Sequence, residues 1–475
     1  VETYQIKEDA ETHRYNGPLK VSYGGIFTNV GRQCLEVAKA LDPRRDGGPD
    51  ADLNDTVSVN KYGRWQKWID AKTGRRSDVP HHFIYNQSSN PNLQYATGVH
   101  VKRVTLTDGR ATGVEFTWNS RFHPAADRKV HTVRASRMVL LSAGTWGSPG
   151  ILERSGIGSA EILKRVDIPV KVDLPGVGNG YQDHNLVFIP YKAADEADTL
   201  DAIARGDEDA LKDETATWLQ TGGGIMAHNG IDGGVKLRPF ADELPAFGSE
   251  FKEVWDGYYA AAPDKPLLWV VAEAMLVTPE PRAFPARKYY SMGYFSYFFH
   301  MYPMARGHVH ITDGDDAAAP VDFRSGMADV TPLTWAYKYT REIARRMPLF
   351  RGEVESLHPP FAEDSQAKII ASAEGPVGIN TERIVYTKED EEVLEKHIRR
   401  IVSTPWHSLG ACAMKPRGSG GVVDSKLNVY GVTGLKIADM SIAPGNVGSN
   451  TYSTAVMIGE KAALIIGEEL GIKGV

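Results

Sequence analysis

The sequence predicts an α/β fold class, α+β overall, with helices and strands distributed over more than one domain. A short, mostly apolar run at 138–143 that precedes a glycine indicates a buried parallel strand whose end lets another group approach the backbone. The runs 267–275 and 289–301 have the composition of strands, whereas 333–346 and 388–402 have the apolar spacing of helices. A chain of 475 residues with 42% hydrophobic content is long enough for two or more domains.

The first elements follow from local pattern. Residues 20–23 indicate a short strand, and 29–41 indicate a helix. The residues of this helix available for burial are Cys34, Leu35, Val37, Ala38 and Leu41. The acidic, alanine-rich stretch 195–215 is predicted to be a solvated helical surface, and the glycines of 221–224 break the chain before a strand at 234–239.

The later elements are two helices, a strand and a last helix. The helices at 333–346 and 388–402 carry arginines that we predict to lie on solvated faces: Arg341, Arg345, Arg346, Arg399 and Arg400. Pro405 ends the second of these helices. A strand at 435–439 and a helix at 453–470 complete the chain, and no internal repeat stands out.

Composition excludes several classes of function. The net charge is −6 and the pI is about 6.2, so the whole chain has no general attraction for nucleic acid or for an anionic membrane surface. No apolar run is long enough to span a bilayer. Cys34 and Cys412 are the only cysteines, which excludes a disulfide framework, and we predict no metal site.

The chemistry of the chain is concentrated near its end, at His407 and Asn450. Imidazole is the side chain best matched to proton transfer near neutral pH, and a carboxamide can hydrogen-bond an oxyanion without titrating. The strand at 435–439 lies between the two residues. A histidine that follows a tryptophan is more often a structural residue than a catalyst, so this pair alone leaves both interpretations open.

Two longer blocks resemble a known family. The segments TPWHSLG at 404–410 and NVGSNT at 446–451 are similar to the C-terminal part of the glucose-methanol-choline (GMC) flavin oxidoreductases. The segment GTWGSPGILERSGIG at 144–158 matches the second signature of that family at every defined position. Residues 101–104 and 112–116 resemble its small sheet over the adenine of FAD, and 302–309 resemble a turn and strand of its substrate-domain sheet.

Within the family, the chain is most similar to fungal methanol, or short-chain alcohol, oxidases. This resemblance implies FAD-dependent oxidation of a small primary alcohol of the methanol or ethanol type to an aldehyde, with dioxygen reduced to hydrogen peroxide. Aryl-alcohol and choline-type dehydrogenases or oxidases of the family remain alternatives, as does a hydroxynitrile lyase in which the flavin is structural. A catalytically inactive, truncated fragment is the alternative from a different class.

The resemblance also implies the roles of individual residues. His407 would take the hydroxyl proton of the alcohol while Asn450 hydrogen-bonds the same oxygen. The residues implied in binding FAD are Val101, Ala143, Gly144, Trp406, Asp439, Met440, Asn450 and Thr451. Trp406 would also narrow the substrate pocket. A carboxyl-terminal strand residue such as Asp439 can instead cap the turn that follows it.

The resemblance divides the chain into two domains. Residues 78–188 and 403–475 would form the FAD-binding domain, and 1–77 and 189–402 the substrate-binding or cap domain. The first strand, glycine-rich turn and helix of the family's Rossmann-like domain are not found, so we expect an incomplete FAD-binding domain beside a substrate domain with a large antiparallel sheet flanked by helices. The glycines of 176–180 have no such strand before them and predict an irregular loop.

The compartment and the assembly state stay open. Family resemblance suggests a peroxisomal or cytoplasmic protein and allows a homo-oligomer. The chain carries no recognisable targeting signal, because it ends in GIKGV and not in a Ser-Lys-Leu type of address.

Overall fold

The computed structural model describes residues 16–48, 51–55, 57–275, 293–314, 321–322 and 327–472, which form two compact units. The first unit consists of the described residues within 1–89, 185–301 and 327–403. The second unit consists of those within 90–184, 302–326 and 404–475. Which of them binds a cofactor, and which a substrate, stays a prediction.

Helices and strands occur in both units. The helices within the described residues are α1 (Asn29–Leu41), α2 (Gly144–Arg154), α3 (Ala160–Arg165), α4 (Asp201–Arg205), α5 (Glu208–Thr221), α6 (Gly248–Val254), α7 (Met327–Ala344), α8 (Lys388–Ile401) and α9 (Tyr452–Glu469). The strands are β1 (Gly63–Arg64), β2 (Val99–Thr107), β3 (Arg110–Trp118), β4 (His131–Arg134), β5 (Val139–Leu141), β6 (Ile157–Gly158), β7 (Val172–Asp173), β8 (Asn179–Tyr181), β9 (Asn185–Ala193), β10 (Ile231–Leu237), β11 (Leu268–Glu273), β12 (Gly293–His300), β13 (Gly307–Val309), β14 (Val321–Asp322), β15 (Phe350–Glu353) and β16 (Leu435–Ile437).

The first unit is built on a six-stranded antiparallel sheet in the order β1-β10-β11-β12-β9-β15. All six residues of β11 are buried, and because side chains alternate between the two faces of a sheet, such a strand is covered on both sides. Helix α1 packs on β10 and β11, while α7 contacts β9, β11 and β12. The expected large antiparallel sheet with flanking helices is therefore confirmed.

The arginines of α7 and its last turn lie in a buried charge network, so the prediction of a solvated face is wrong for them. Both nitrogens of the Arg341 fork bind Glu353, at 2.6 and 2.9 Å, and both side chains are fully buried. Arg345 and Arg346 are also buried, and both bind Glu342. Helical spacing could not show this for Arg341, because its partner Glu353 comes from a separate strand, whereas Glu342 lies three and four residues before Arg345 and Arg346. Two arginines of α8 are exposed, as predicted: Arg399 and Arg400.

The second unit combines four small sheets with α2, α3 and α9. Strands β5 and β16 pair in parallel, with residue 139 opposite 435 and residue 141 opposite 437. Strands β2, β3 and β4 form an antiparallel sheet, which confirms the small sheet predicted around 101–116. The core between these strands and α2 includes Val104, Leu141, Leu152, Leu435 and Ile437.

Several local predictions can be compared directly with the structure. Helix α1 has the predicted bounds, and Thr28 caps it by accepting a hydrogen bond from the Gly31 amide. The strand predicted at 20–23 is wrong, since only a single bridge between Ser22 and Lys67 forms there. The turn and strand predicted at 302–309 are present, since β13 covers Gly307–Val309, but this strand pairs with β8 and β14 and does not join the six-stranded sheet.

Two further expectations concern the acidic stretch 195–215 and helices that could span a membrane. Helices α4 and α5 occupy the stretch predicted to be a solvated helical surface, and α5 has no buried residue. No helix among the described ranges has the length and apolar character that crossing a bilayer requires.

Candidate active site

His407 lies in the second unit, in a loop with unusual backbone geometry. Trp406, just before it, has a left-handed φ of 61°, a strained conformation for a bulky side chain, and is 75% exposed. His407 itself is buried. A buried imidazole next to an exposed indole is the arrangement that this strained turn produces.

Asp183 holds the backbone around His407. One of its carboxylate oxygens accepts a hydrogen bond from the His407 amide at 3.1 Å. The other accepts hydrogen bonds from three hydroxyl groups: those of Thr404, Ser408 and Tyr181. Burial raises the pKa of Asp183, and these hydrogen bonds oppose the rise. The carboxylate thus sets the path of the chain on both sides of His407.

The residue after Asp183 contacts the ring of His407. His184 is completely buried, and its Nδ1 lies 2.8 Å from Nδ1 of His407. Its Nε2 lies 3.0 Å from the carbonyl oxygen of Val447. The two rings are nearly perpendicular, at 88°. Consecutive residues, 183 and 184, therefore hold the backbone and the side chain of His407.

Asn450 occupies the other side of the His407 ring. Its side-chain nitrogen lies 3.1 Å from Nε2 of His407, so the structure brings the two predicted catalytic residues together. Asn450 is exposed, and burial lowers the pKa of His407 to about 4. The ring is therefore neutral near pH 7, which is the form that can accept a proton.

A second group of predicted residues surrounds Asp439, after β16. One oxygen of this carboxylate accepts hydrogen bonds from the Gly144 amide at 3.0 Å and from the Ser148 hydroxyl at 2.6 Å. The other accepts one from the Ser441 amide at 2.7 Å, so Asp439 also caps the turn that follows it. Asp439 joins the start of α2 to the segment after β16.

Helix α2 connects the two groups and extends toward the small sheet. At its start, the Thr145 hydroxyl donates to the Ser408 carbonyl and the Trp146 indole to the Ser408 hydroxyl, both at 3.1 Å. At its end, Ser155 accepts a hydrogen bond from the Val104 amide of β2, the strand that contains Val101. Eleven helical residues span about 16 Å, so a ligand that touches both ends must be elongated.

The residues beside Asp439 fit the polar groups of FAD. The carboxylate has about four acceptor sites, and three are used within the chain. Gly144 has a φ of 75°, and a Cβ added to it would have no atom within 4 Å, so there is room next to this backbone. The buried Asn446 side-chain nitrogen has no hydrogen-bond partner among the described residues and is a candidate donor.

Other predicted cofactor residues occupy different environments. Ala143 is exposed, next to Gly144, and its amide binds the Ser148 hydroxyl at 3.2 Å. Thr451 is buried directly before α9 and leaves the first turn of that helix without a side-chain cap. The Met440 side chain lies in an apolar cluster with Leu409 and Ala443, so the structure gives it a packing role.

Sequence reasoning missed Asp183 and His184 as functional residues. The distance in sequence from His184 to His407 is 223 residues, and no local pattern relates two such positions. Residues 182–184 resemble a segment of the family that leaves the flavin domain, but this resemblance assigned neither Asp183 nor His184 a role. Tyr181 and Ser408, which share a hydrogen bond of 2.8 Å, were missed for the same reason.

The comparisons with known proteins agree on one family. Profiles described as GMC oxidoreductase match residues 31–186 and 303–459. The alcohol oxidase of Candida boidinii is 38% identical over 524 aligned positions, covering 100% of this chain and 77% of that protein. Alcohol oxidase 1 of Komagataella phaffii is 36% identical over 523 positions, with the same coverage of 100% and 77%.

The solved structures show the same fold. An FAD-dependent oxidoreductase from Chaetomium thermophilum superposes with a TM-score of 0.72 at 22% identity, covering 98% of this chain and 76% of that one. On these matches to both profiles and to relatives along its whole length, the chain belongs to the GMC oxidoreductase family, whose members use FAD.

Proposed function

We propose that this chain is an FAD-dependent alcohol oxidase that converts a short primary alcohol, of the methanol or ethanol type, to an aldehyde while dioxygen is reduced to hydrogen peroxide. The observation that carries the proposal is the pair of His407 and Asn450, a neutral imidazole with a carboxamide 3.1 Å from its Nε2. The names of the relatives, alcohol oxidases, support the substrate class.

The pair has the chemistry that alcohol oxidation needs. His407 would accept the hydroxyl proton at Nε2, and Asn450 would donate its amide hydrogen to the same oxygen as negative charge develops there. When bound, FAD supplies the acceptor for the hydride of the alcohol and passes the electrons on to dioxygen. Asn450 is exposed, so an alcohol could reach it without a rearrangement of the core.

Trp406 is proposed to limit the size of the alcohol. Its side chain is 75% exposed beside the buried His407, and the left-handed backbone holds it there. A large aromatic surface next to the base would exclude bulky alcohols. This selectivity extends the proposal from the general class of alcohols to short ones.

The proposed cofactor residues follow from the same contacts. Asp439, with one acceptor site left, and the backbone at Ala143 and Gly144 would contact the chain that links the flavin to its phosphates. Asn450 and Thr451, at the start of α9, would lie beside the flavin, and Val101 beside the adenine. We accordingly propose that 78–188 and 403–475 form the FAD-binding domain and that 1–77 and 189–402 form the substrate-binding or cap domain.

The direct test is the visible absorption spectrum of the purified chain. The protein is incubated with FAD, freed of unbound cofactor, and mixed with methanol without air. Bleaching of a bound flavin, its recovery in air, and one hydrogen peroxide per aldehyde are the expected results. A bound flavin that methanol and ethanol leave oxidised, while an aryl alcohol or choline reduces it, would refute the short-alcohol proposal.

A further inference from the structure

We propose that His184 is a positioning residue that fixes the tautomer of His407, so that the unprotonated Nε2 of His407 faces Asn450. The inference rests on the proposed function for its catalytic meaning, since it concerns the same base. We call the positions of the hydrogens on the ring nitrogens of His184 and His407 the proton order. This order is a property of the polypeptide and can be measured without a substrate.

The proton order begins at a group that cannot titrate. The carbonyl oxygen of Val447 can only accept a hydrogen bond, so the Nε2 of His184, 3.0 Å away, must carry the hydrogen. His184 is completely buried, and burial favours the neutral imidazole. A neutral ring with hydrogen on Nε2 has a lone pair on Nδ1. His184 therefore presents an acceptor to its neighbour.

The position of the hydrogen on His184 then determines its position on His407. The two Nδ1 atoms are 2.8 Å apart, a hydrogen-bond distance that requires one hydrogen between them. Because His184 is the acceptor, His407 must be the donor, with its hydrogen on Nδ1. His407 is neutral, so its Nε2 keeps a lone pair, and Asn450 lies 3.1 Å away with its amide nitrogen.

The reverse order is unfavourable at its first contact. Hydrogen on Nε2 of His407 would make His407 Nδ1 an acceptor and would require hydrogen on Nδ1 of His184. The Nε2 of a neutral His184 would then direct a lone pair at the Val447 carbonyl oxygen, placing two buried acceptors at 3.0 Å. The carbonyl oxygen of Val447 thus selects one of the two arrangements of hydrogens on His184 and His407.

This order prepares His407 for proton transfer. A base must present its lone pair toward the proton that it takes, and Nε2 is the atom on the Asn450 side. Proton uptake at Nε2 leaves the hydrogen on Nδ1, so the bond to His184 persists in both charge states of His407. No reorganisation of the buried contact is then needed during the reaction.

The proton order is tested by magnetic resonance on the flavin-free protein at pH 7. Histidine nitrogens are isotopically labelled, and a proton–nitrogen correlation spectrum distinguishes the two tautomers of each ring. His407→Gln identifies the signals of His407. We expect a protonated Nδ1 and an unprotonated Nε2 for His407 in the unaltered chain. The opposite tautomer, or an even mixture, would overturn the proposal whether or not the protein oxidises alcohols.

Variants of His184 separate positioning from folding. His184→Phe keeps the ring but removes the acceptor, and the His407 tautomers should mix. His184→Asn places an amide oxygen where Nδ1 was and should restore the Nδ1-protonated form. The matched control is His310→Phe, which removes another buried histidine of the second unit, one bound to Glu153 at 2.6 Å. This control should leave the signals of His407 unchanged.

Kinetics complete the test in the FAD-bound protein. We expect His184→Phe to slow flavin reduction by alcohol about 10- to 100-fold, with the KM for alcohol nearly unchanged and with partial rescue in His184→Asn. An unchanged rate in a folded His184→Phe would overturn the positioning role. If no variant, including the unaltered chain, reduces flavin with any alcohol, the proposed function fails, while the spectrum still decides the proton order.

Discussion

Burial keeps the imidazole of His407 neutral over a wide pH range. Its pKa of about 4 lies below the ordinary value of 6.5, and the cause is desolvation of the charged form. The histidine does not need a nearby cation to stay neutral. Its hydrogen-bond partners on the two sides are His184 and Asn450.

The first prediction concerns the pH profile. Because the folded protein holds His407 neutral, kcat/KM should stay constant as pH falls past 6.5 and should drop only as pH approaches about 4. The sign is that of a depressed pKa: folded-state stability is lost as pH falls from 6.5, where the unfolded chain takes up the proton, to about 4, where the folded His407 takes it up. Steady-state rates between about pH 4 and 8 measure this. A midpoint near 6.5 would contradict it, and the residual activity of His407→Gln should lack the transition.

The second prediction concerns Asn450. We expect Asn450→Ala to lower the rate of flavin reduction about 100- to 1000-fold, because the developing alkoxide loses a placed donor. Stopped-flow absorption of the FAD-bound protein measures this rate. Asn119→Ala, in the turn after β3, is the control and should retain the full rate. Equal rates for both variants would mean that Asn450 does not contact the reacting oxygen.

At the scale of the element, α2 connects the loop of His407 to the proposed cofactor site. Gly144 begins it with a φ of 75° and with open space where a side chain would stand. Gly109, in the turn between β2 and β3, has a φ of 73° and equally open surroundings. The two glycines have the same backbone requirement, but only Gly144 binds Asp439.

This equivalence gives the third prediction. Gly144→Ala and Gly109→Ala should each destabilise the protein by about 1–2 kcal/mol, the cost of a left-handed alanine. Only Gly144→Ala should also weaken FAD binding, because its Cβ occupies the room beside the backbone. Urea unfolding and titration with FAD measure the two effects. Equal FAD affinity in both variants would show that the cofactor does not approach Gly144.

At the scale of the whole molecule, stability in the first unit depends on buried charges that are paired. The bidentate contact of Arg341 with Glu353 lies at 2.6 and 2.9 Å, and both side chains are fully buried. Arg399 and Glu395 form a comparable pair at 2.9 Å on the surface of α8. The two pairs have similar contact distances. They differ mainly in how much water each pair has lost on folding.

The fourth prediction compares these two pairs. Glu353→Gln should lower the free energy of unfolding by about 3–5 kcal/mol, since it leaves the buried Arg341 guanidinium without its counter-charge. Glu395→Gln should cost at most about 1 kcal/mol, because water already solvates that pair. Chemical denaturation followed by circular dichroism measures both. A small effect of Glu353→Gln would show that Arg341 reaches water or another anion.

The sequence by itself determined several local elements and the choice of candidate catalytic residues. The bounds of α1 follow from periodicity and turn residues, which depend on neighbours a few positions apart, whereas the small sheet around 101–116 was expected from the family resemblance. His407 and Asn450 could be singled out because imidazole and carboxamide have distinctive chemistry and stand in segments similar to one family.

Only the tertiary structure decided what surrounds those groups. The contacts of Asp183 and His184 with the loop of His407 join residues from separate elements, and so does the contact of Glu353 with Arg341. Burial then sets the protonation of His407 and the free-energy cost of leaving Arg341 unpaired. His184 and His407 are 223 positions apart in sequence, and no repeating spacing relates two such positions. The physical reason is that desolvation and hydrogen-bond distance depend on three-dimensional proximity, whereas periodicity records only which residues share a face of one element.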